Sequence, residues 1–150
     1  MTGTVSPPSN SRHPLTKYVG IPYRLGGRDE TGLDCWGLVR LYYLRERGID
    51  LPLLPGIASQ DILGISREIY KEKNGPWREV ETPREGTVVG MSLRHIIHHV
   101  GLWTEADGGK VVHCWEGGSV IAEPIRLLRL KGVKTIQFLE YSTYADGLHH

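Results

Sequence analysis

Residues 32–48 read GLDCWGLVRLYYLRERG, a pattern that predicts a helix together with the residues that cap its two ends. Asp34 has a side chain of the type that caps helix N-termini, so Cys35 is predicted to be the first residue of the helix. Gly48 is predicted to end it, because glycine easily adopts the left-handed conformation found just beyond a helix C-terminus. Between these ends apolar residues recur at helical spacing. They are Leu38, Val39, Leu41, Tyr42 and Leu44.

The rest of the chain divides into a helical first half and a strand-rich second half. Residues 1–12 are predicted to be a flexible arm, and further helices are predicted over 13–19 and 59–75. The later residues alternate in the manner of strands. Strands are predicted over 87–91, 96–104, 110–115, 120–123 and 135–141. Helices followed by a run of strands predict an α+β fold in which the N-terminal helices pack on an antiparallel β-sheet.

The composition fits a single domain. The chain has 150 residues and is 39% hydrophobic, which is enough for one sizeable core and leaves little for a second. We assign this domain to residues 13–146 and place residues 147–150 in a tail outside it.

Several classes of partner are disfavoured by the charge and hydropathy of the chain. Lysine and arginine total 18 against 17 acidic residues, so the excess positive charge of a nucleic-acid binder is missing. The first residues lack the pattern of a signal peptide, and no apolar run approaches the roughly 20 residues that span a bilayer. We expect a soluble protein, made in the cytoplasm without a signal peptide, that neither binds nucleic acid nor inserts into membranes.

Cys35 is the first candidate for chemistry. The thiolate is the reactive form of cysteine, and a helix N-terminus can lower the pKa of a thiol from ~8.5 to roughly 3.5–7.5. The alternative is that Cys35 is a small buried hydrophobic residue, the commoner fate of a free cysteine. The other cysteine is Cys114. Nothing in the sequence argues for a disulfide, so both are predicted to be free thiols.

A cysteine nucleophile needs a base, and the candidates are histidines. Neighbouring residues of a strand point to opposite faces, so His98 and His99 cannot both face Cys35. His99 shares its face with Gly101, which would leave open space for a substrate beside the imidazole. The other internal candidates are His95 and His113.

The loop after this strand determines whether His113 can take part. A three-residue loop would put Trp103 opposite His113, and His113 would then share the face of His99. A two-residue loop would put His113 on the other face. In the first case His113 can orient the His99 ring, as the third member of a catalytic triad does.

A zinc site is the main alternative for these side chains. Its ligands would be Cys35 or Cys114 together with two or three histidines. The pattern is poor for zinc, because adjacent histidines on a strand face opposite ways and the chain has no Cys-x-x-Cys motif. We therefore expect neither a metal nor a cofactor.

Two segments of the chain together resemble the NlpC-type family of cell-wall cysteine peptidases. The first is GIPYRLGG at residues 20–27 followed by GLDCWGLV at 32–39, and the second is HVGLW at 99–103 followed by VVH at 111–113. Each motif alone is weak, whereas their combination and order are specific. The resemblance covers about residues 15–140 and implies a papain-like α+β fold that works without a cofactor.

The resemblance also implies roles for individual residues. Cys35 corresponds to the nucleophile, His99 to the general base and His113 to the polar residue that orients the base. Tyr23 corresponds to a tyrosine whose hydroxyl lies near the nucleophile and the bound substrate. Asp34 corresponds to an acidic residue that helps to recognise a free amino group of the muropeptide. The implied substrate is a peptidoglycan stem peptide, cut at the γ-D-glutamyl bond to a diamino acid.

The chain departs from the family pattern at two places. The residue after the nucleophile is usually a serine that helps to bind substrate, and here it is Trp36. The pocket beside Cys35 is therefore expected to differ in size and polarity, and the bond that is cleaved can differ with it. Gly86-Thr87 replaces the usual Gly-Asp at a strand start, where we expect little effect.

The DCWGLV variant in a short chain resembles the version of the family encoded among tail genes of bacteriophages and gene-transfer particles. This resemblance implies a location at a tail tip, beside tail-tip or hub proteins, and local opening of the cell wall. The alternative is a hub or assembly protein with the same fold and suppressed or absent activity, in which the four tryptophans would be interface anchors. A third reading is a cytosolic amidase or acyltransferase that acts on a small peptide or lipid.

Overall fold

A helix and a six-stranded antiparallel sheet pack on each other to form the core. The computed structural model describes residues 13–51, 77–92 and 99–141. Helix α1 spans Cys35–Arg47 and helix α2 spans Ile125–Leu130. Short 3-10 helices lie at Pro14–Tyr18 and Ala106–Gly108. The strands are β1 (Arg28–Asp29), β2 (Gly32–Leu33), β3 (Trp77–Val80), β4 (Val88–Ser92), β5 (His99–Thr104), β6 (Lys110–Cys114), β7 (Val120–Glu123) and β8 (Thr135–Tyr141).

The sheet runs in the order β3, β8, β4, β5, β6, β7, and every neighbouring pair is antiparallel. Strands β1 and β2 form a separate hairpin just before α1. The predicted α+β fold is therefore confirmed. Strands β7 and β8 have the predicted ends, β6 ends one residue earlier than predicted, and β4 both begins and ends one residue later. The predicted start of β5, residues 96–98, lies outside the described part of the chain.

Both ends of α1 lie where the sequence predicts them. At the N-terminus, the Asp34 carboxylate accepts a hydrogen bond from the Gly37 backbone N–H at 2.7 Å. This satisfies one of the N–H groups that the start of a helix leaves unpaired. At the C-terminus, Gly48 has a φ of 67°, a left-handed conformation that costs glycine little.

The sheet has an apolar core on each of its two faces. On one face α1 buries Leu38 and Val39 completely, in a cluster that includes Val100 of β5. On the other face Leu128 of α2 packs in a second cluster with Val89 of β4. Burial of one such aliphatic side chain stabilises the fold by about 1.5–3 kcal/mol. Packing on both sides holds the sheet, and hence the residues at its ends, in a fixed position.

The hairpin between β5 and β6 has neither of the two loop lengths considered from the sequence. Trp103 lies opposite Val111 and not opposite His113, because the connection spans residues 105–109 and contains a 3-10 turn. The register therefore differs by two residues from the one expected for a three-residue loop. A shift of two residues keeps every side chain on its face. His113 accordingly shares the face of His99, which is the outcome expected for the three-residue loop.

Four elements are not predicted by the sequence pattern. Strands β1 and β2 have two residues each, too short to show alternation, and α2 has six, fewer than two helical turns. Strand β3 has two consecutive exposed residues, which breaks its alternation.

The helix predicted over 13–19 is the 3-10 helix Pro14–Tyr18. The predictions for residues 1–12, 59–75 and 147–150 lie outside the described residues. None of the described helices is both long and apolar enough to cross a membrane.

Candidate active site

Cys35 is the first residue of α1 and is 4% exposed. It is a free thiol, as predicted. The backbone N–H groups of the first helical turn and the helix dipole favour a negative charge at this point. Such an environment favours the thiolate over the thiol, so Cys35 has the position of a reactive cysteine.

A single carboxylate ties the loop before α1 to the helix. Asp34 accepts hydrogen bonds from the backbone N–H groups of Gly37 at 2.7 Å and of Gly26 at 2.6 Å. The loop lies so close to the helix that a Cβ atom at Gly37 would be 2.1 Å from the Gly27 carbonyl oxygen. Glycine is therefore required at this position of the Asp-Cys-x-Gly motif, and the close packing fixes the position of Cys35.

The second cysteine marks where the start of α1 meets the sheet. Cys114 is the last residue of β6, and its thiol donates a hydrogen bond to the Leu33 carbonyl oxygen at 3.3 Å. Burial, with a smaller contribution from the charge of Asp34, raises the pKa of the Cys114 thiol to about 11. Cys114 is therefore protonated at neutral pH and unreactive. Its contact places the start of α1 at the end of the sheet where β6 stops and β5 begins.

A buried pair of histidines lies at that same end of the sheet. The Nε2 atom of His99 and the Nδ1 atom of His113 are 3.1 Å apart, and the two residues are 5% and 0% exposed. A Cβ atom at Gly101 would be 2.9 Å from the Cβ atom of His113. The space beside Gly101 is therefore filled by His113 and is not open to substrate, which corrects the expectation from the sequence. His95 and His98 lie outside the described residues.

Trp115 covers the histidine pair and is not predicted from the sequence. Its ring stacks on that of His99, with the centroids 4.1 Å apart and the planes at 5°, and it meets the His113 ring edge-on at 5.0 Å. The sequence does carry a signal, since Trp115 follows His113 by two residues and alternate residues share a face. An aromatic cover of this kind keeps water away from the hydrogen bond and stabilises a positive charge on the imidazole.

The three predicted substrate contacts lie in different environments around the start of α1. Tyr23 is half-buried against the core cluster, and its backbone N–H donates to the Gly118 carbonyl oxygen at 2.9 Å. Asp34 uses both carboxylate oxygens for the backbone contacts described above. Trp36 is 5% exposed and packs on Trp77, with ring centroids 6.3 Å apart. Capping and core packing account for Asp34 and Trp36, and the substrate roles of all three residues stay predictions.

In this structure a cysteine is the first residue of a helix, the helix packs on an antiparallel sheet, and a histidine pair lies at the end of that sheet. This is the arrangement of the papain-like class of proteins. Residues 20–134 match the model of the NlpC/P60 family. This match covers more than half of the chain, and the chain belongs to the NlpC/P60 family.

Proteins similar to the chain include a bacterial relative and a domain of known structure. Protein P54 of Enterococcus faecium is 49% identical over 102 residues, which are 68% of this chain and 17% of that protein. The chain thus spans less than a fifth of the length of this relative. The crystal structure of the NlpC/p60 domain of peptidoglycan hydrolase SagA has a TM-score of 0.54 and 25% identity, covering 83% of this chain and 91% of that one. This likeness confirms the papain-like fold.

The buried His113 predicts a loss of stability in acid. Burial lowers its pKa from 6.5 to about 4, so between these pH values the unfolded chain binds a proton that the folded chain does not. The free energy of unfolding should therefore fall as the pH drops through this window, by roughly 2 kcal/mol between pH 7 and pH 5. Urea unfolding at both pH values measures the change.

The variant His113→Asn is the control for this measurement, because asparagine does not titrate. It should lose roughly 2 kcal/mol less stability than the wild type over the same pH step. Equal losses in the two proteins would contradict the assignment of the effect to His113.

Proposed function

We propose that this protein is a cysteine peptidase that hydrolyses an amide bond in peptidoglycan stem peptides. Cys35 is the nucleophile, His99 the general base and His113 the residue that orients His99. The observation that carries this proposal is the buried hydrogen bond between the two histidines, at the sheet end that meets the capped start of α1. Membership of the NlpC/P60 family and the likeness to a domain of a peptidoglycan hydrolase support the substrate class.

In this proposal Cys35 and His99 meet at the end of the sheet and not across its face. Val100 and Cys114 belong to the core cluster of α1, so by alternation His99 and His113 use the other face. His99 is the first residue of β5, where a side chain can reach around the end of the strand. The contact of Cys114 with the segment before α1 supports this arrangement, because it brings the helix start to the same place.

The proposed reaction balances without a cofactor. The Nδ1 atom of His99 takes the thiol proton of Cys35, and the thiolate attacks the carbonyl carbon of the scissile amide. Backbone N–H groups at the start of α1 stabilise the oxyanion of the tetrahedral intermediate. His99 then gives its proton to the leaving amine as the C–N bond breaks, which leaves a thioester on Cys35. Water that is deprotonated by His99 hydrolyses the thioester and restores the thiol.

The family resemblance favours the γ-D-glutamyl bond to a diamino acid as the site of cleavage. Tyr23 would contact the bound peptide, and Asp34 would help to recognise its free amino group. Asp34 can do so while it caps α1, because an ionised carboxylate accepts about four hydrogen bonds and the two backbone donors leave capacity for more. Trp36 is buried and stands where the family usually has a serine, so the serine hydroxyl is missing and we expect a more apolar subsite beside Cys35.

An inactive hub protein with the same fold is the second candidate. Its main support in the sequence is the number of tryptophans. Trp36 and Trp77 pack in the core, and Trp115 stacks on His99. Trp103 is in ring contact with Phe138, so all four tryptophans have partners within the chain. The tryptophans therefore support an interface role less than their number suggests.

Digestion of purified peptidoglycan, with mass spectrometry of the products, tests the proposed activity. The wild type should release fragments with a new free amine at one amide bond. Cys35→Ala should lose this activity by roughly a thousandfold or more, because it removes the nucleophile. Cys114→Ser is the matched control, since it removes the other thiol but keeps a donor for the Leu33 carbonyl oxygen, and it should retain activity. Cleavage by Cys35→Ala would refute the mechanism, and no cleavage by the wild type would favour the hub protein.

We further propose that the protein is carried on a phage or phage-like tail particle, beside tail-tip or hub proteins, and opens the wall during genome delivery. The DCWGLV motif supports this location by its resemblance to tail-encoded members of the family. Quantitative mass spectrometry of purified particles should find the protein at a fixed copy number per particle. Its occurrence as a free enzyme in cells that have no tail genes would rule this location out.

A further inference from the structure

His113 has a second ring nitrogen that the hydrogen bond to His99 does not use. This Nε2 atom is buried, and among the described residues it has no hydrogen-bond partner. The Glu123 carboxylate faces it, with Oε2 at 3.8 Å. That distance is slightly longer than a hydrogen bond, and a small movement of either side chain closes it. Because an unpaired polar group in a core is unfavourable, the two groups are expected to bond to each other.

Glu123 is held in the right place for this contact. It lies on β7 opposite Val111 of β6, on the sheet face that carries His113. It is 6% exposed, and the Nζ atom of Lys131 donates to its Oε2 atom at 2.5 Å. Its Oε1 atom has no hydrogen-bond partner among the described residues. A carboxylate is almost never buried to this extent without a partner, and Lys131 both compensates its charge and fixes its direction.

We propose that Glu123 is a positioning residue that fixes the tautomer of His113 and, through it, that of His99. An ionised carboxylate can only accept hydrogen bonds, so Glu123 favours a proton on Nε2 of His113. The Nδ1 atom of His113 is then an acceptor, and His99 donates to it from Nε2. The basic lone pair of His99 therefore lies on Nδ1, the atom that takes the thiol proton in the reaction. Only this last step rests on the proposed function.

The opposite tautomer would disable the site. If the proton of His113 lay on Nδ1, it would donate to Nε2 of His99, and the proton of a neutral His99 would lie on Nδ1. His99 could not then accept the proton of Cys35. Burial lowers the pKa of His113 to about 4, so the ring is neutral at pH 7 and two neutral tautomers compete. Glu123 is the charged acceptor that selects between them, as orienting partners of histidine do at other sites.

Nitrogen-15 NMR of the histidine side chains in the full chain measures this tautomer directly, and the spectrum of His113→Asn identifies the signals. In the wild type at pH 7 we expect the proton of His113 on Nε2. In Glu123→Gln, whose amide can donate as well as accept, a population with the proton on Nδ1 should appear. Glu79→Gln is the matched control, because Glu79 is exposed on β3 at the opposite edge of the sheet. A wild-type proton on Nδ1, or an unchanged tautomer in Glu123→Gln, would overturn the proposal.

Turnover gives a second readout that a merely structural role would not reproduce. In Glu123→Gln the kcat for peptidoglycan cleavage should fall by roughly 10- to 100-fold, the range seen when the orienting partner of a metal-binding histidine is removed. KM should stay nearly unchanged, because Glu123 does not touch substrate. A raised KM with an intact kcat would contradict the positioning role. A wild type that cleaves nothing would count against the proposed function alone, because the NMR measurement needs no activity.

Glu123→Ala decides the question if Glu123→Gln does not fold. It removes the charged acceptor and adds no donor, and the Lys131 side chain that loses its partner is 49% exposed and can be solvated. A population with the proton of His113 on Nδ1 in folded Glu123→Ala supports the proposal, because nothing at this position then favours a proton on Nε2. The wild-type tautomer in folded Glu123→Ala overturns it.

Discussion

The geometry of the site depends on the buried carboxylate of Asp34. Its two oxygens accept hydrogen bonds from the backbone N–H groups of Gly26 and Gly37, at 2.6 and 2.7 Å. Burial of a carboxylate is unfavourable, and two short charge-assisted hydrogen bonds offset that cost. One of these bonds caps α1 and the other holds the preceding loop against it. The first residue of the helix, Cys35, is therefore fixed both by the helix that follows it and by the loop that precedes it.

The polar residues of the site form a diagonal row across three neighbouring strands, which starts at one end of the sheet with His99. Strand β5 contributes His99, and β6 contributes His113, which bonds to it. Strand β7 contributes Glu123 behind His113. The apolar face of the same strands packs under α1, where burial raises the pKa of Cys114 and leaves it inert. The alternation of the strands thus separates this polar row from the core that holds α1.

The surroundings of Cys35 can be predicted from the sequence, and those of the two histidines only in part. Asp34 and Gly48 mark the ends of α1 because helix caps depend on residues close in sequence. The three-residue loop considered from the sequence gives the observed face of His113 although its register is wrong, because alternation is insensitive to a shift of two residues. Glu123 and the stacking of Trp115 on His99 are not predicted, since both contacts depend on which strands become neighbours. That pairing is a long-range property, and the pattern within one strand does not contain it.

Activation of Cys35 by His99 is tested most directly by the pH dependence of Cys35 alkylation with iodoacetamide. The rates are measured by mass spectrometry in a Cys114→Ser background, with His99 present and in His99→Ala. Because a neighbouring imidazole favours the thiolate, the pH of half-maximal rate should lie about one unit or more lower when His99 is present. Superimposable profiles for the two proteins would contradict the assignment of His99 as the base that acts on Cys35.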